Sequence, residues 1–298
     1  MTDQPATVAF HIGAHKTATS HLQRCLKKAS EGLAEQGVRY YGPQYFRQRR
    51  HSIQGLFGLR PPSNPKIARR SPKDQLAIMR KDADRLVFSE ENFIGPLNDP
   101  RGLLLADRYP LAGVRVQSLA QAIGQDIDIY VSIRRPSAYL NSAYCQMLFS
   151  GLVRPLAVYK SNNPLSSIDW SDLVGQLRAA NGIGKVVVWC YEDYAQLFPV
   201  IVADLVGATL APLVPWVPRN VHTGLSQAAV AQVLAQAEGQ DAAGLGYEAR
   251  GALPVESGYA AFDGYTATEH AVGDAAYATQ IGIIAAMDGV TLLQPVAG

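Results

Sequence analysis

The sequence is poor in cysteine and lacks a long apolar run. Only three of its 298 residues are cysteines (Cys25, Cys145 and Cys190), and they form neither a CxxC pair nor a Cys/His spacing typical of metal sites. This odd, widely spaced set argues against disulfides and is consistent with a reducing cytoplasm. The longest apolar stretch, residues 197–218, contains Asp204 and four prolines, which argues against a membrane span.

The composition excludes other special classes of protein. Hydrophobic residues make up 48% of the chain and charged residues 17%, as expected for a folded globular protein rather than a disordered one. The apolar run near the N terminus is too short for a signal peptide. A net charge of only +2 gives no indication of nucleic-acid binding. We therefore expect a single cytoplasmic domain over residues 1–298, without a nucleic-acid partner. Formation of a homo-oligomer is left open.

Positive charge is concentrated at the start of the chain. Residues 1–85 hold 16 Lys and Arg against 6 Asp and Glu, whereas the remainder holds 11 against 19. A basic region of this kind predicts an anionic ligand or acceptor. Segment 42–75 carries much of the charge and is irregular, with many Pro, Gly, Ser and Arg residues. We interpret it as a basic insertion outside the core with a functional role, as long loops inside compact domains often have, although a merely solvated surface loop is an equally good interpretation.

Short apolar runs alternate with amphipathic stretches along most of the chain. The apolar runs predict strands at residues 7–12, 38–41, 86–88, 127–133, 185–190 and 290–293. Helical periodicity predicts helices at residues 22–33, 75–85, 113–123, 136–149, 170–181, 197–206, 226–239 and 268–287. This alternation predicts an α/β protein with three α/β/α layers around a central parallel sheet. The Ala- and Gly-rich residues 240–298 predict a C-terminal helical and loop region, whose role the sequence leaves open.

The segment HIGAHKTATS, residues 11–20, joins the first predicted strand to the first helix and is dense in groups that bind anions. A helix N-terminus offers unpaired N–H groups and the positive end of its dipole. Lys16 adds a charge, and small residues allow a close approach. We therefore predict a phosphate or sulfate site formed by Ala14, His15, Lys16, Thr17, Ala18, Thr19 and Ser20. The alternative is a tight turn with a solvated lysine. A Walker A loop is not matched, because Phe10 and His15 stand at its glycine positions.

A second group of candidate residues follows the strand predicted at residues 127–133. Arg134 leaves the strand tip, and Ser142 lies eight residues later on the helix that starts at Pro136. A guanidinium and a hydroxyl together are suited to hold a phosphate. The alternative is a structural ion pair at Arg134 and a solvent-facing serine. Because the carboxyl ends of parallel strands meet at one edge of a sheet, both groups could hold one ligand.

Together these motifs resemble the sulfotransferases that use 3′-phosphoadenosine 5′-phosphosulfate (PAPS), and more closely their bacterial branch. HIGAHKTATSHLQ resembles the family's 5′-phosphosulfate loop, with Ala18 where the family usually has glycine. SIRRPSAYLNSAY resembles the 3′-phosphate motif, in which Arg134 and Ser142 match. PRNVHTGLS, at 218–226, more weakly resembles a loop near the bacterial C terminus and adds Arg219 to the binding residues. The resemblance implies a P-loop nucleotide-binding-like fold.

The resemblance also implies a reaction, the transfer of a sulfuryl group from PAPS to an acceptor hydroxyl or amine by in-line displacement. Lys16 would stabilise the leaving group, 3′-phosphoadenosine 5′-phosphate, and no metal is required. The segment SEENF resembles a family segment whose glutamate lies by the active site, which makes Glu91 the candidate base and Glu90 the alternate. Both could instead be solvated carboxylates. His15 is a rival base, although an orienting role in the loop is the favoured interpretation.

The sequence leaves the acceptor and two other functions open. The acceptor could be a small molecule, a glycan or a lipid, and the basic N-terminal third would suit an anionic one. One alternative function is that of a P-loop-type kinase using ATP. The other is that of a non-catalytic nucleotide- or anion-binding protein of the same fold.

Overall fold

A six-stranded parallel sheet forms the centre of the molecule. The computed structural model describes residues 6–60, 70–98, 108–218, 224–237 and 242–295. The strands are β1 (Thr7–Gly13), β2 (Val38–Tyr41), β3 (Arg85–Ser89), β4 (Ile127–Ile133), β5 (Ile183–Cys190) and β6 (Val290–Leu293). They lie in the order β2-β3-β1-β4-β5-β6, and each neighbouring pair runs parallel.

Helices cover both faces of this sheet. Those in the described part of the chain are α1 (Thr19–Glu35), α2 (Pro43–Phe46), α3 (Ile53–Leu56), α4 (Pro72–Arg80), α5 (Ala112–Ile123), α6 (Pro136–Phe149), α7 (Leu156–Asn162), α8 (Trp170–Ala179), α9 (Tyr194–Val206), α10 (Gln227–Gln236), α11 (Leu245–Ala252) and α12 (Ala267–Ala285). The predicted three-layer α/β/α architecture is therefore confirmed. Among these helices, none is long and apolar enough to cross a lipid bilayer.

Each face of the sheet has its own apolar core. On one face, α1 and α9 pack against Ala9, Val87 and Val187. On the other, α5, α6 and α8 pack against strand residues such as Phe10 and Ile129. Burial on both faces explains why the strands are nearly continuous apolar runs rather than alternating ones.

The strand order positions a ligand site at β1. The chain passes from β1 to β2 and β3 on one side of it, and then to β4, β5 and β6 on the other. In open parallel sheets the crevice for a ligand lies outside the carboxyl ends of the strands where the order reverses. Here that crevice lies beyond the ends of β3, β1 and β4, where both predicted motifs begin.

Most predicted elements are confirmed, but one helix is displaced and four short helices of the described residues (α2, α3, α7 and α11) are missed. The helix predicted over 75–85 was placed too late, since α4 starts after Ser71, whose side chain accepts a hydrogen bond from the Asp74 N–H. It ends at Lys81, where φ is positive, and Arg85 already belongs to β3. Helices α7 and α11 are short, and their sequences carry too few turns for a clear periodicity.

The interpretation of segment 42–75 as lying outside the core is wrong for its described part. This part contains α2, α3 and the start of α4. Phe46, Ile53 and Phe57 are each at most 3% exposed and belong to the larger core. The rings of Phe46 and Phe57 lie 5.5 Å and 6.2 Å from that of Phe88 on β3. Arginines and glycines between these apolar residues conceal the packing in the sequence.

Truncation of Phe57 tests this packing. We expect Phe57→Ala to lower the free energy of unfolding by about 3–4 kcal/mol, because it leaves a cavity against the sheet. Val114→Ala removes an apolar side chain that is 62% exposed on α5 and should change stability by less than about 0.5 kcal/mol. Chemical denaturation measures both. Equal, small effects would mean that segment 42–60 does not pack as described.

Candidate functional site

The loop after β1 is held in shape by one peptide unit, that of Ala14. The Ala14 N–H donates to the carbonyl of Ser132 on β4, at 2.9 Å. The Ala14 carbonyl accepts the hydroxyls of Thr17 and Thr19, at 2.6 Å and 3.1 Å. These two hydroxyls, predicted to donate to an anion, are therefore engaged within the loop. Ser20 is exposed and is the loop hydroxyl that remains available to a ligand.

The same loop leaves a series of amide groups unpaired. Lys16 and Ala18 adopt left-handed conformations, with φ of 62° and 63°. Ala18 is also the N-cap of α1, and no side chain caps that helix. Within the described residues, the N–H groups of 16–20 make no hydrogen bond to protein. Successive free N–H groups at the positive end of a helix dipole form an anion-binding concavity.

Two cations lie beside these amides. The Lys16 Nζ donates to Gln146 Oε1 at 3.3 Å, and the Arg134 Nη1 donates to the Lys16 carbonyl at 2.8 Å. Burial, and then the Arg134 guanidinium, lowers the pKa of the Lys16 amine; burial also lowers the pKa of Arg134. Among the described residues, neither cation forms an ion pair with a carboxylate. An anionic ligand would therefore restore the charge balance of the site.

One cavity of about 1150 Å³ joins the two predicted motifs. Lys16, Arg134 and Ser142 all line it, and so does Tyr191, whose ring lies 4.4 Å beneath the Arg134 guanidinium. Of the other predicted binding residues, His15, Ala18, Thr19 and Ser20 line it, whereas Ala14 and Thr17 are buried in the loop. Arg219 lies outside the described residues. The volume exceeds that of a typical pocket for one small ligand, so the cavity has room for two small molecules.

The candidate bases Glu90 and Glu91 are buried, not solvated. Glu90 receives two hydrogen bonds from Arg47, at 2.8 Å and 2.9 Å. Glu91 accepts one from Arg47 at 2.7 Å and one from Gln23 at 2.8 Å. Burial raises the pKa of Glu91, but the charge and hydrogen bond of Arg47 outweigh it, and the net shift is downward. Of the two, Glu91 lines the cavity, so it is an ionised acceptor at the cavity wall.

Glu91 can lie close to the loop after β1, which carries Lys16, because residue 13 is a glycine. This glycine has φ of +103°, and a Cβ there would lie 3.0 Å from the Glu91 Cβ. Any larger residue would push β3 away from the end of β1. The close approach of the two strand ends therefore brings the carboxylate to the same cavity as Lys16.

His15 is held by hydrogen bonds at both ring nitrogens. The Nε2 lies 3.1 Å from Asn92 Oδ1, and the Nδ1 lies 2.8 Å from the Tyr109 hydroxyl. An amide oxygen only accepts, so Nε2 carries the proton and Nδ1 accepts from Tyr109. Burial lowers the pKa of His15, which favours this neutral form. The arrangement fits the loop-orienting role, because no ring nitrogen is left to accept a proton from a substrate.

Some residues of the site were missed in the sequence although a signal was present. Ser142 and Gln146 are four residues apart and share the cavity face of α6 with Phe149. That face was predictable once Ser142 had been chosen. Tyr191 follows β5 as Arg134 follows β4, so the strand-end rule applied to it too. Gln23 ends the motif HIGAHKTATSHLQ but was given no role, whereas Tyr109 reaches the site only through tertiary packing and no local signal marks it.

Comparisons with known proteins add little. No protein-family model matches the chain, and no curated protein matches it. A crystal structure of a sulfotransferase from Alicyclobacillus acidocaldarius resembles the chain with a TM-score of 0.39 and 14% identity, over 70% of this chain and 81% of that chain. A likeness this weak does not identify an activity.

The left-handed conformation of Ala18 gives a testable prediction. A Cβ in this region is strained, so we expect Ala18→Gly to raise the free energy of unfolding by about 1 kcal/mol. Ala276→Gly makes the same change at an exposed position inside α12, where it should lower stability by about 1 kcal/mol. The two denaturation midpoints should therefore move in opposite directions. A loss of stability in both variants would contradict the strain at Ala18.

Proposed function

We propose that the protein is a sulfotransferase that uses PAPS as its donor. The observation that supports this proposal best is that residues 16 and 18–20, whose amides are free, line a single cavity together with Arg134, and that neither Lys16 nor Arg134 has a carboxylate partner among the described residues. One ligand with anionic groups at two points would meet both sites. The Arg134 Nε is also buried without a hydrogen-bond partner, which suits a ligand phosphate.

Each part of the proposed donor has residues suited to it. The amides of 16–20 and the Ser20 hydroxyl would hold its 5′ end, and Arg134 with Ser142 its 3′-phosphate. The Arg134 guanidinium lies over the Tyr191 ring, and a guanidinium in this position can still donate from its N–H groups to phosphate oxygens. Arg219, outside the described residues, stays a predicted binding residue.

PAPS would supply an activated sulfuryl group, with 3′-phosphoadenosine 5′-phosphate as the leaving group and no metal in the scheme. Lys16 stabilises the negative charge that develops on the bridging oxygen as the old S–O bond breaks. Gln146 positions its amine. Glu91 accepts the proton from the acceptor hydroxyl or amine as the bond to sulfur forms. Both carboxylates bind Arg47, but of the two it is Glu91 that lines the cavity, so Glu91 is the proposed base and Glu90 the alternate.

Binding of 3′-phosphoadenosine 5′-phosphate without metal tests the donor assignment. Calorimetry should show binding to the wild type and an affinity loss of about 10- to 100-fold in Lys16→Ala and Arg134→Ala, since each loses a charged hydrogen bond. Lys28→Ala removes an equal charge from an exposed position on α1 and should bind as the wild type does. Binding of Mg-ATP but not of this nucleotide would point to a kinase.

Turnover tests catalysis separately. With PAPS and fractionated cell extract, mass spectrometry should detect acceptors that have gained SO₃. Absence of any product despite tight binding of 3′-phosphoadenosine 5′-phosphate would favour the non-catalytic alternative.

Glu91→Gln tests the base. We expect kcat to fall at least 100-fold while affinity for 3′-phosphoadenosine 5′-phosphate is unchanged, because the amide cannot take up the proton. Glu31→Gln, on the exposed side of α1, is the neutral control. The pKa of Glu91 lies below its ordinary value of 4.5, so its active, ionised form persists at all higher pH. An acid limb near pH 6 that disappears in Glu91→Gln would contradict the lowered pKa, whereas an unchanged kcat in Glu91→Gln would contradict the assignment of Glu91 as the base.

A further inference from the structure

The cavity extends beyond Lys16 to a cluster of two rings and one arginine. Phe149 ends α6, while Tyr247 and Arg250 lie on α11, and all three line the cavity. The Arg250 guanidinium lies 5.0 Å from the centroid of Phe149 and 5.4 Å from that of Tyr247. The two rings are 4.9 Å apart. None of these residues belongs to either predicted motif.

Arg250 is held in place without a carboxylate. Within the described residues it forms no ion pair or hydrogen bond, and its guanidinium instead lies over the two aromatic rings. A guanidinium stacked on aromatic faces keeps its N–H edge free, and this edge matches the two oxygens of an oxyanion. Because Arg250 is only half-buried, a ligand in the cavity can reach it.

Helix α6 shows where this cluster lies relative to the transfer site. Ser142 and Gln146 are separated by a rise of about 6 Å, and Phe149 lies roughly 4.5 Å further along the helix. The amine of Lys16 is hydrogen-bonded to Gln146, whose position along α6 lies between those of Ser142 and Phe149. We call the part of the cavity beside Arg134 and Ser142 the first arm, and this part suits the proposed donor. The part beside Phe149 and Arg250, which we call the second arm, then remains for the acceptor.

The lining of the cavity also includes apolar residues and a cation that is already paired. Pro96, Leu97 and Leu152 are apolar, and Arg47 is already paired with Glu90 and Glu91. An acceptor beside Phe149, Tyr247 and Arg250 would meet aromatic surface along its body and the Arg250 guanidinium at its end. That combination suits a compact molecule with a single charge.

We infer that the second arm binds an acceptor carrying a singly charged oxyanion, such as a carboxylate or a sulfonate, through Arg250. The acceptor's hydroxyl then faces Lys16 and Glu91 while its anionic group lies against the Phe149–Tyr247 pair. This inference rests on the proposed function, since it takes the first arm as the donor's.

Binding of matched probes tests the inference. The probes are 4-hydroxyphenylacetate, 4-hydroxybenzenesulfonate and the neutral 4-hydroxyphenylacetamide, titrated by calorimetry with and without saturating 3′-phosphoadenosine 5′-phosphate. We expect either anion to bind at least about 10-fold more tightly than the amide. Arg250→Gln should reduce this ratio to near one. Comparison of the carboxylate with the sulfonate identifies which oxyanion is preferred.

Arg24→Gln is the matched control, because it removes an equal charge from another arginine that lines the cavity. It should leave the anion preference intact. Equal binding of anions and amide by the wild type, an unchanged ratio in Arg250→Gln, or an equal loss in Arg24→Gln would each overturn the inference. Binding of 3′-phosphoadenosine 5′-phosphate in the same samples tests the donor separately, so the two proposals can fail independently.

Discussion

The peptide unit of Ala14 determines the geometry on which the rest of the site depends. Its N–H is bonded to β4, and its carbonyl collects the hydroxyls of Thr17 and Thr19. With the polar groups of the loop satisfied in this way, the following amides are left without protein partners and converge at the start of α1. An anion site made of backbone needs this kind of external restraint, because free N–H groups do not hold themselves in position.

Charge balance distinguishes the two sides of the cavity. Around Glu91 the charges are partly compensated, with the single cation of Arg47 shared between two carboxylates. Around Lys16 and Arg134 they are not, and both side chains are held by neutral groups, Gln146 and the Tyr191 ring. Partly buried positive charges of this kind are costly to leave unpaired. Such a cost in the folded protein is common where a ligand later supplies the opposite charge.

The parallel sheet explains how distant parts of the chain meet here. The loops after β3, β1, β4 and β5 all leave the same edge, so they contribute Glu91, Lys16, Arg134 and Tyr191 to one crevice. Helix α6 then extends the crevice away from the sheet, and α11 closes its far end with Tyr247 and Arg250. Strand ends thus provide the proposed transfer site, while a helix pair provides the proposed acceptor site.

The sequence alone determined the layers, most strands and the two motifs, because these depend on local periodicity and on short spacings such as Lys16 in its loop or Arg134 before Ser142. It also marked Glu91 as a candidate, but not the ion pair with Arg47 that holds it ionised. Tertiary structure alone decided that Phe46 and Phe57 enter the core, that His15 is bonded to Tyr109 and Asn92, and that α11 faces the cavity. These contacts join residues far apart in the chain. Such pairings follow from how helices pack on the sheet, and no pattern within a single segment encodes them.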